Sequence, residues 1–475
     1  MKFKQMILAS AVASVITSAA HADLSLQIGG NIDAQIGFRN EDSAFEKEFP
    51  VYNIQNGNSN THDDKRRGEA IVHDTTLTFE VFGHTDILGG LNYGGKIVLE
   101  ADTSSSKYHM PDVEISLADN EVATSKNIES VQIKDPAYNL NRNAREVMVF
   151  FDGDWGHLEA GNTYGATKKM QIDAGSVAAG NGGVHGDSGL WINPYPLWGN
   201  MRTPDFYTNR MAFYHVDDMF LPVLLQGSTT QAAPFSTELA TAAKISYYSP
   251  NFNGLRFGVT YTPDTDVNGT VSNIATVVEQ SSAHGFGFED VFEGGFMYDG
   301  SLGDFGFQLS VLGQTGDVKK RSGSTYTSRN TSIAAASEAK YEDLGGYEIG
   351  FATEFMGVGF AASYGEHDAL LSTMNDLEYY TLGLGYEMGP WAFSVNYMKS
   401  EQESKRFSDL AAGNTFDKTK KAEFENLVFD VAYQCQGMMP YLQVASFEAI
   451  RPENGQDTNI KNDGTVVLVG AKISF

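Results

Sequence analysis

The sequence predicts an all-β fold, a closed antiparallel barrel of sixteen membrane-crossing strands, and three observations carry that prediction. Segments in which every second residue is apolar recur along the chain. Short turns and long polar stretches alternate strictly between them. The composition, with 49 Gly, 22 Tyr and 30 Phe against 13 Pro, suits many strands and tight turns.

Composition also excludes several classes. There is no Gly-X-Y period, so the chain is not collagen-like. One Cys cannot make an intrachain disulfide. Beyond the first residues no apolar run nears the roughly 18 residues of a spanning helix, and 12% aromatics in periodic segments argue against disorder. The 475 residues would ordinarily suggest about three domains, but one repeated pattern argues for a single domain. The formal charge of −27 repels nucleic acid.

The first element is an export signal. Lys2 and Lys4 precede an apolar, small-residue core from Met6 to Ala20, and Ala20-His21-Ala22 has the small-x-small form of a cleavage site. Residues 1–22 are expected to be removed, leaving 23–475 as one domain outside the cytoplasm.

In the first strand Leu24, Leu26, Ile28, Ile32, Ala34, Ile36 and Phe38 alternate with Ser25, Gln27, Asn31, Asp33, Gln35 and Arg39. Side chains of a strand alternate faces, so one face is greasy and the other wet. The pattern returns in Leu255–Tyr261, Tyr380–Glu387, Trp391–Tyr397, Leu427–Tyr433 and Val467–Phe475. Short turns are expected at His84–Gly90, Gly153–Gly156, Pro250–Gly254, Gly300–Gly303, Met356–Gly357, Met388–Pro390 and Gln436–Pro440. Long connections are expected at Asn40–Glu69, Asp102–Asn143, Asn162–Ala240, Pro263–Glu289, Thr315–Gly345, His367–Leu377, Ser400–Ala422 and Ala449–Gly464. A membrane barrel has short periplasmic turns and long outer loops, whereas a compact soluble domain rarely carries several such loops. An opening strand, seven hairpins and a closing strand make sixteen, an even number that leaves no open edge. The segment Thr208–His215 also looks strand-like and is assigned to the long third loop, residues 162–240. Aromatics near strand ends (Tyr298, Phe305, Phe355, Tyr386, Trp391, Tyr441) are expected to form lipid–water girdles.

Four stretches, Gly90–Asp102 (GLNYGGKIVLEAD), Phe151–Gly161 (FDGDWGHLEAG), Lys244–Gly258 (KISYYSPNFNGLRFG) and the terminal Phe475, together resemble the Gram-negative trimeric outer-membrane general diffusion porins. The resemblance implies a sixteen-stranded barrel in the cell outer membrane, a homotrimer, passive diffusion of ions and small hydrophilic solutes, and a third loop folded into the lumen. It also implies that Phe475 resembles the signal read by the barrel-assembly machinery. Members of that family often carry Arg after the glycine that ends the Gly-x-Leu-x-x-Gly strand; here Asn162 stands there, so strong basic character is not expected at that point.

If the polar face lines water, its charges set selectivity. By alternation the inward bases include Arg39, Lys96, Lys244, Arg256 and Lys472. The inward acids include Asp33, Glu80, Glu100, Glu159, Glu293, Glu348, Glu354, Glu387 and Asp430. The excess of acids predicts a weak cation preference, against which stands pairing and screening at the rim over about 8 Å. The third loop carries Lys168, Lys169, Asp173, His185, Asp187, Trp191 and Arg202 and is the constriction candidate; the plain alternative is a solvated surface loop.

No metal site is predicted. Acidic outer loops such as Glu41–Glu48 and Glu342–Asp343 carry carboxylates suited to Ca²⁺ or Mg²⁺ that would bridge to lipopolysaccharide. The nearest motif, Asp264–Gly269, lacks the closing Glu of a calcium loop, with Ala275 in its place. Ten scattered His form no zinc pair and no G-x-S-x-G elbow occurs, so an enzyme is not expected. The competing readings are a surface adhesin acting through its loops and a barrel enzyme.

Overall fold

The computed structural model describes residues 24–41, 69–86, 90–100, 144–192, 242–264, 288–303, 305–318, 343–367, 374–404, 421–452 and 459–475. Short paired segments at 13–15, 51–53, 58–60, 112–117, 128–134, 327–328 and 331–332 accompany them. Sixteen antiparallel strands close on themselves: β1 Ser25–Glu41, β2 Glu69–Thr85, β3 Leu91–Glu100, β4 Ala144–Gly153, β5 Gly156–Asn162, β6 Ala243–Tyr248, β7 Leu255–Asp264 and β8 Phe288–Leu302, followed by β9 Phe305–Val318, β10 Leu344–Phe355, β11 Val358–His367, β12 Met374–Met388, β13 Trp391–Ser404, β14 Lys421–Tyr433, β15 Met438–Pro452 and β16 Asn459–Ser474. Each strand pairs with its neighbour in sequence. The ring closes where Asn31–Glu41 of β1 pair with Gly464–Ser474 of β16. Phe475 seals that seam: its amide donates to the Gly30 carbonyl (3.1 Å) and the Gly30 amide donates back (3.0 Å). A three-residue strand, Ala13–Val15, pairs with Leu26–Ile28 on the stretch of β1 that β16 does not reach.

Closure satisfies every strand's backbone groups internally, which a lipid environment demands. Among the described residues no helix is long and apolar enough to cross a membrane; the strands do the crossing. Their outer face is apolar: Ile36, Val149, Ile245, Val259, Phe296, Val311, Ile349, Leu384 and Val469 are all exposed. Aromatic side chains pair across strands on that face, as in Tyr380–Tyr397 (5.8 Å) and Trp391–Tyr433 (4.8 Å, edge-on). The seven short turns and the long connections fall where the sequence pattern puts them, within a few residues. At Met356–Gly357 both turn residues have positive φ, 51° and 81°, as a two-residue hairpin turn requires.

One expectation is corrected. Tyr441 is not in an outer girdle. It lies on the inner face, 4% exposed, with its ring over Gly470 and its hydroxyl donating to Asp33 (2.8 Å). The glycine leaves room for the ring, and the carboxylate satisfies the hydroxyl. Cys435 opens the β14–β15 turn through a bridge to Met438. Thr208–His215 lies outside the described residues.

The core of this molecule is inside the ring. A wet inner face is expected throughout, yet Leu312, Met398, Val428, Phe447, Val466 and Leu468 point inward and are buried. What covers them is the chain that follows β5.

Candidate functional site

After Asn162 the chain turns into the barrel. Thr163 donates to Glu146 on β4 (2.9 Å). A one-turn helix, α1 Ala166–Lys169, follows, and its first amide donates to Thr260 Oγ1 on β7 (2.9 Å) while the Thr167 hydroxyl donates to Glu293 on β8. Gln171 donates to Glu348 on β10 (3.0 Å), which also accepts from the Tyr379 hydroxyl of β12. Asp173 caps a 3₁₀ turn at Ala174–Val177 through the Gly175 amide (2.7 Å) and pairs with His185 (2.9 Å) farther along the loop. The Ala174 amide donates to Thr381 on β12 (3.0 Å), and the Ala179 amide to Ser394 on β13 (2.9 Å). The helix α2 Ser188–Trp191 ends the described loop. Its first amide donates to Gln443 on β15 (3.2 Å), Asp187 accepts from Gln35 on β1 (2.8 Å), and Arg39 of β1 donates to the Trp191 carbonyl (3.0 Å). The loop therefore lines the inside of the ring from β5 round to β1.

Apolar packing seats it. Ala166, Met170 and Ile172 pack with Met297, Leu312, Ala352 and Ala361; Ala174, Val184, Trp191 and Ile192 pack with Tyr379, Met398, Val428, Ala445 and Leu468. Small wall residues permit the approach. A Cβ on Gly350 would lie 1.9 Å from the Ile172 carbonyl, and one on Gly383 would lie 2.7 Å from that of Ala174.

The structure places most of the expected site residues. Lys169 leaves α1 to pair with Glu159 on β5; Glu159 also contacts His157 (2.8 Å), whose other nitrogen meets Asp152. Lys169 lies over the Tyr248 ring as well (5.8 Å). Lys244 is fully buried beside Glu293 (3.7 Å), and Arg256 holds Asp299 (2.6 Å) near the short turns. Lys168 contacts Gln171 (3.4 Å), and Asp173 and Asp187 stand where the loop meets itself and the wall. Lys96 faces inward opposite Glu80 of β2 as its cross-strand partner. Glu100 ends β3 but its side chain is outside the described set, as is all of Arg202. Of the acidic outer loops only Glu41 and Asp343 are described; among the described residues no group of three His, Cys, Asp or Glu is placed to hold a metal ion.

The wall residues Thr260, Thr381, Ser394 and Gln443, and the pair Gln35 and Tyr441, were not among the expected site residues. Their only sequence signal is a side chain with a polar group at inward parity, which any water-facing position would share.

Comparison with known proteins places the chain. The family model described as Gram-negative porin matches residues 9–448. The chain belongs to the Gram-negative porin family. An uncharacterized protein of Rickettsia bellii is 27% identical to this porin over 367 residues, 69% of this chain and 75% of the relative. One of Rickettsia felis is 23% identical over 362 residues with the same coverage. Among solved structures, this porin is similar to an anion-selective porin from Comamonas acidovorans (14% identity, 95% of this chain and 100% of the other, TM-score 0.48). It is also similar to in-vitro folded OmpT, an outer membrane protein of Vibrio cholerae (9%, 97% and 99%, TM-score 0.48). Family and fold together make this an integral outer-membrane barrel that forms a channel, with short turns on the periplasmic side, long loops outside and the third loop in the lumen.

Proposed function

We propose that this porin is a passive, non-enzymatic channel for ions and small hydrophilic solutes with a weak preference for cations. The pattern of charge partners inside the ring carries the selectivity reading. Arg39, Lys169, Lys244, Arg256 and Lys472 each stand within 4 Å of a carboxylate: Glu41, Glu159, Glu293, Asp299 and Asp33. Glu146, Asp187, Glu348 and Asp430 instead accept from neutral donors, namely Thr163, Gln35 with Asn181, Tyr379 with Gln171, and Gln443. With these five bases compensated and Asp187 held on the loop by neutral partners, the excess of acids over bases at inward positions favours cations, because a low-dielectric wall with excess negative charge concentrates them.

A homotrimer fits the outer surface. The exposed tyrosines Tyr298, Tyr347, Tyr364, Tyr380 and Tyr386, with Trp391, all lie on β8–β13, where an aromatic belt meets lipid headgroups. Among the described residues, the exposed large hydrophobic side chains of β1–β3 and β16 are Ile32, Ile36, Phe38, Val81, Ile97, Val469 and Ile473, a mainly aliphatic face suited to another copy of the barrel. In this reading the belt side meets lipid and lipopolysaccharide, divalent cations bridge the acidic outer loops to its phosphates, and the barrel-assembly machinery reads Phe475.

Reconstitution into planar bilayers under a tenfold KCl gradient tests the channel and its sign together. A reversal potential directed toward cations is expected. Folded, heat-modifiable barrels that pass no current would sink the channel reading, and an anion-directed potential would sink the selectivity alone.

A further inference from the structure

A row of polar side chains crosses the inner periplasmic rim of four strands. His84 of β2, Asn92 of β3, Asp152 of β4 and His157 of β5 are successive cross-strand partners. His84 Nδ1 meets Asn92 (2.8 Å), and Asp152 meets His157 Nδ1. The other ring nitrogen of His157, Nε2, lies 2.8 Å from Glu159, which also accepts from Lys169 of α1. β5 is only seven residues long, so the third loop leaves the wall close to this rim and brings Lys169 down to it. The His157 ring is stacked on Phe150 (5.9 Å) and tilted against Tyr248 (5.9 Å). Its side chain keeps 30% of its surface open.

We propose that His157 is a specificity-determining residue of the channel, setting the net charge of the periplasmic exit according to the pH there. A carboxylate only accepts, so an imidazole with a carboxylate at each nitrogen keeps both contacts only when both nitrogens carry protons. In this arrangement His157 is the cation between Asp152 and Glu159. Imidazole is the side chain whose charge changes between about pH 5 and pH 8. With the proton on, the charges at the ring balance: Asp152 and Glu159 stand against His157 and Lys169. Beyond Lys169 the pair Lys244 and Glu293 (3.7 Å) is balanced as well. Tyr248 is a neutral phenol, and Asp154 lies on the adjoining turn, exposed to solvent that screens it. Loss of the proton turns a ring lone pair toward one carboxylate and leaves one uncompensated negative charge at the exit. A unit charge about 6 Å from a passing ion changes the cation-to-anion ratio by up to about tenfold, so the exit prefers cations more strongly as pH rises.

The inference rests on the proposed channel, and the test separates the two. Reversal potentials of reconstituted native barrels are measured in a fixed tenfold KCl gradient at low mean salt, with both chambers at about pH 5 and then at about pH 8. The cation-to-anion permeability ratio is expected to be several-fold higher at the upper pH. His157→Gln, which is never charged, is expected to hold the high-pH ratio at both values. His157→Arg, which is always charged, is expected to hold the low-pH ratio at both. Heat-modifiable migration on a detergent gel confirms that each barrel is folded, and if one variant does not fold the other alone reads the loss of the pH step. A native ratio that does not change with pH would overturn the inference without any variant, and would leave the channel intact. A step of undiminished size in folded His157→Gln barrels would also overturn it, because another group, such as His84, would then carry the step. Potentials directed toward anions at both pH values, with the step present in native barrels and lost in the variants, would remove the cation preference and support His157. Native barrels that never conduct would overturn the channel and this inference with it.

Discussion

Lys169 shows how one side chain tunes the passage. It pairs with Glu159, which is 5% exposed and also contacts His157. Lys169→Gln leaves that carboxylate facing the lumen without its ammonium. A unit charge acts on an ion about 6 Å away with roughly 0.7 kcal/mol in water, about a threefold change in local cation concentration. Anions are depleted by the same factor, so the cation-to-anion permeability ratio is expected to rise by up to about tenfold, read as a shift of the reversal potential; a shift toward anions would contradict the pairing. Met356 offers a stability test at the same scale. It holds φ 51° at an exposed periplasmic turn, a conformation that costs a Cβ-bearing residue roughly 1 kcal/mol and that Asn tolerates better. Met356→Asn is expected to raise the urea midpoint of barrel unfolding by an amount equivalent to about 0.5 kcal/mol.

At the level of elements, lipid-facing strands and the loop-covered wall obey different rules. Leu382 points outward on β12, between Tyr380 and Tyr386. Leu382→Arg places a charge near the midplane and is expected to cost about 2–4 kcal/mol of folding free energy, measured by refolding into vesicles; no loss would mean that this strand does not face acyl chains. On the inner face, Gly350→Val would drive a side chain into the Ile172 carbonyl. Displacement of the loop is expected, seen as a changed unitary conductance with the barrel still folded. This contrast explains what the sequence could reveal. Strand order, turns and outward parity were legible, because period-two alternation is local and the lipid imposes it on every strand. The loop's seat was not. Leu312, Met398 and Leu468 sit at inward parity like any lumen residue, and only a non-local fact, which stretch of wall the loop covers, makes them core. The glycines of the inner face showed the same ambiguity: Gly383 reads as strand packing until Ala174 is found against it. Tyr441 was misplaced for the same reason, since its partners Asp33 and Gly470 are distant in sequence.

For the whole molecule the governing quantity is charge within a closed ring. Sixteen strands spaced about 4.8 Å apart and tilted about 40° enclose a backbone cylinder about 32 Å across, and the third loop fills part of it. The chain carries 60 Asp and Glu against 33 Lys and Arg, and five lumen bases, Arg39, Lys169, Lys244, Arg256 and Lys472, are already matched by carboxylates. A preference that arises from fixed wall charge must fade as mobile ions screen it. The screening length is about 10 Å at 0.1 M salt and about 3 Å at 1 M, so at low salt wall charges reach across the remaining passage and at high salt they do not. At a constant tenfold gradient, the reversal potential is expected to be clearly cation-directed when the mean salt is near 0.1 M and to fall toward zero near 1 M. A preference that survives 1 M salt would instead place selectivity in direct contacts at the narrowest point, within a few ångströms of the permeating ion, and would shift attention from the wall as a whole to Asp187 and Lys169 on the loop.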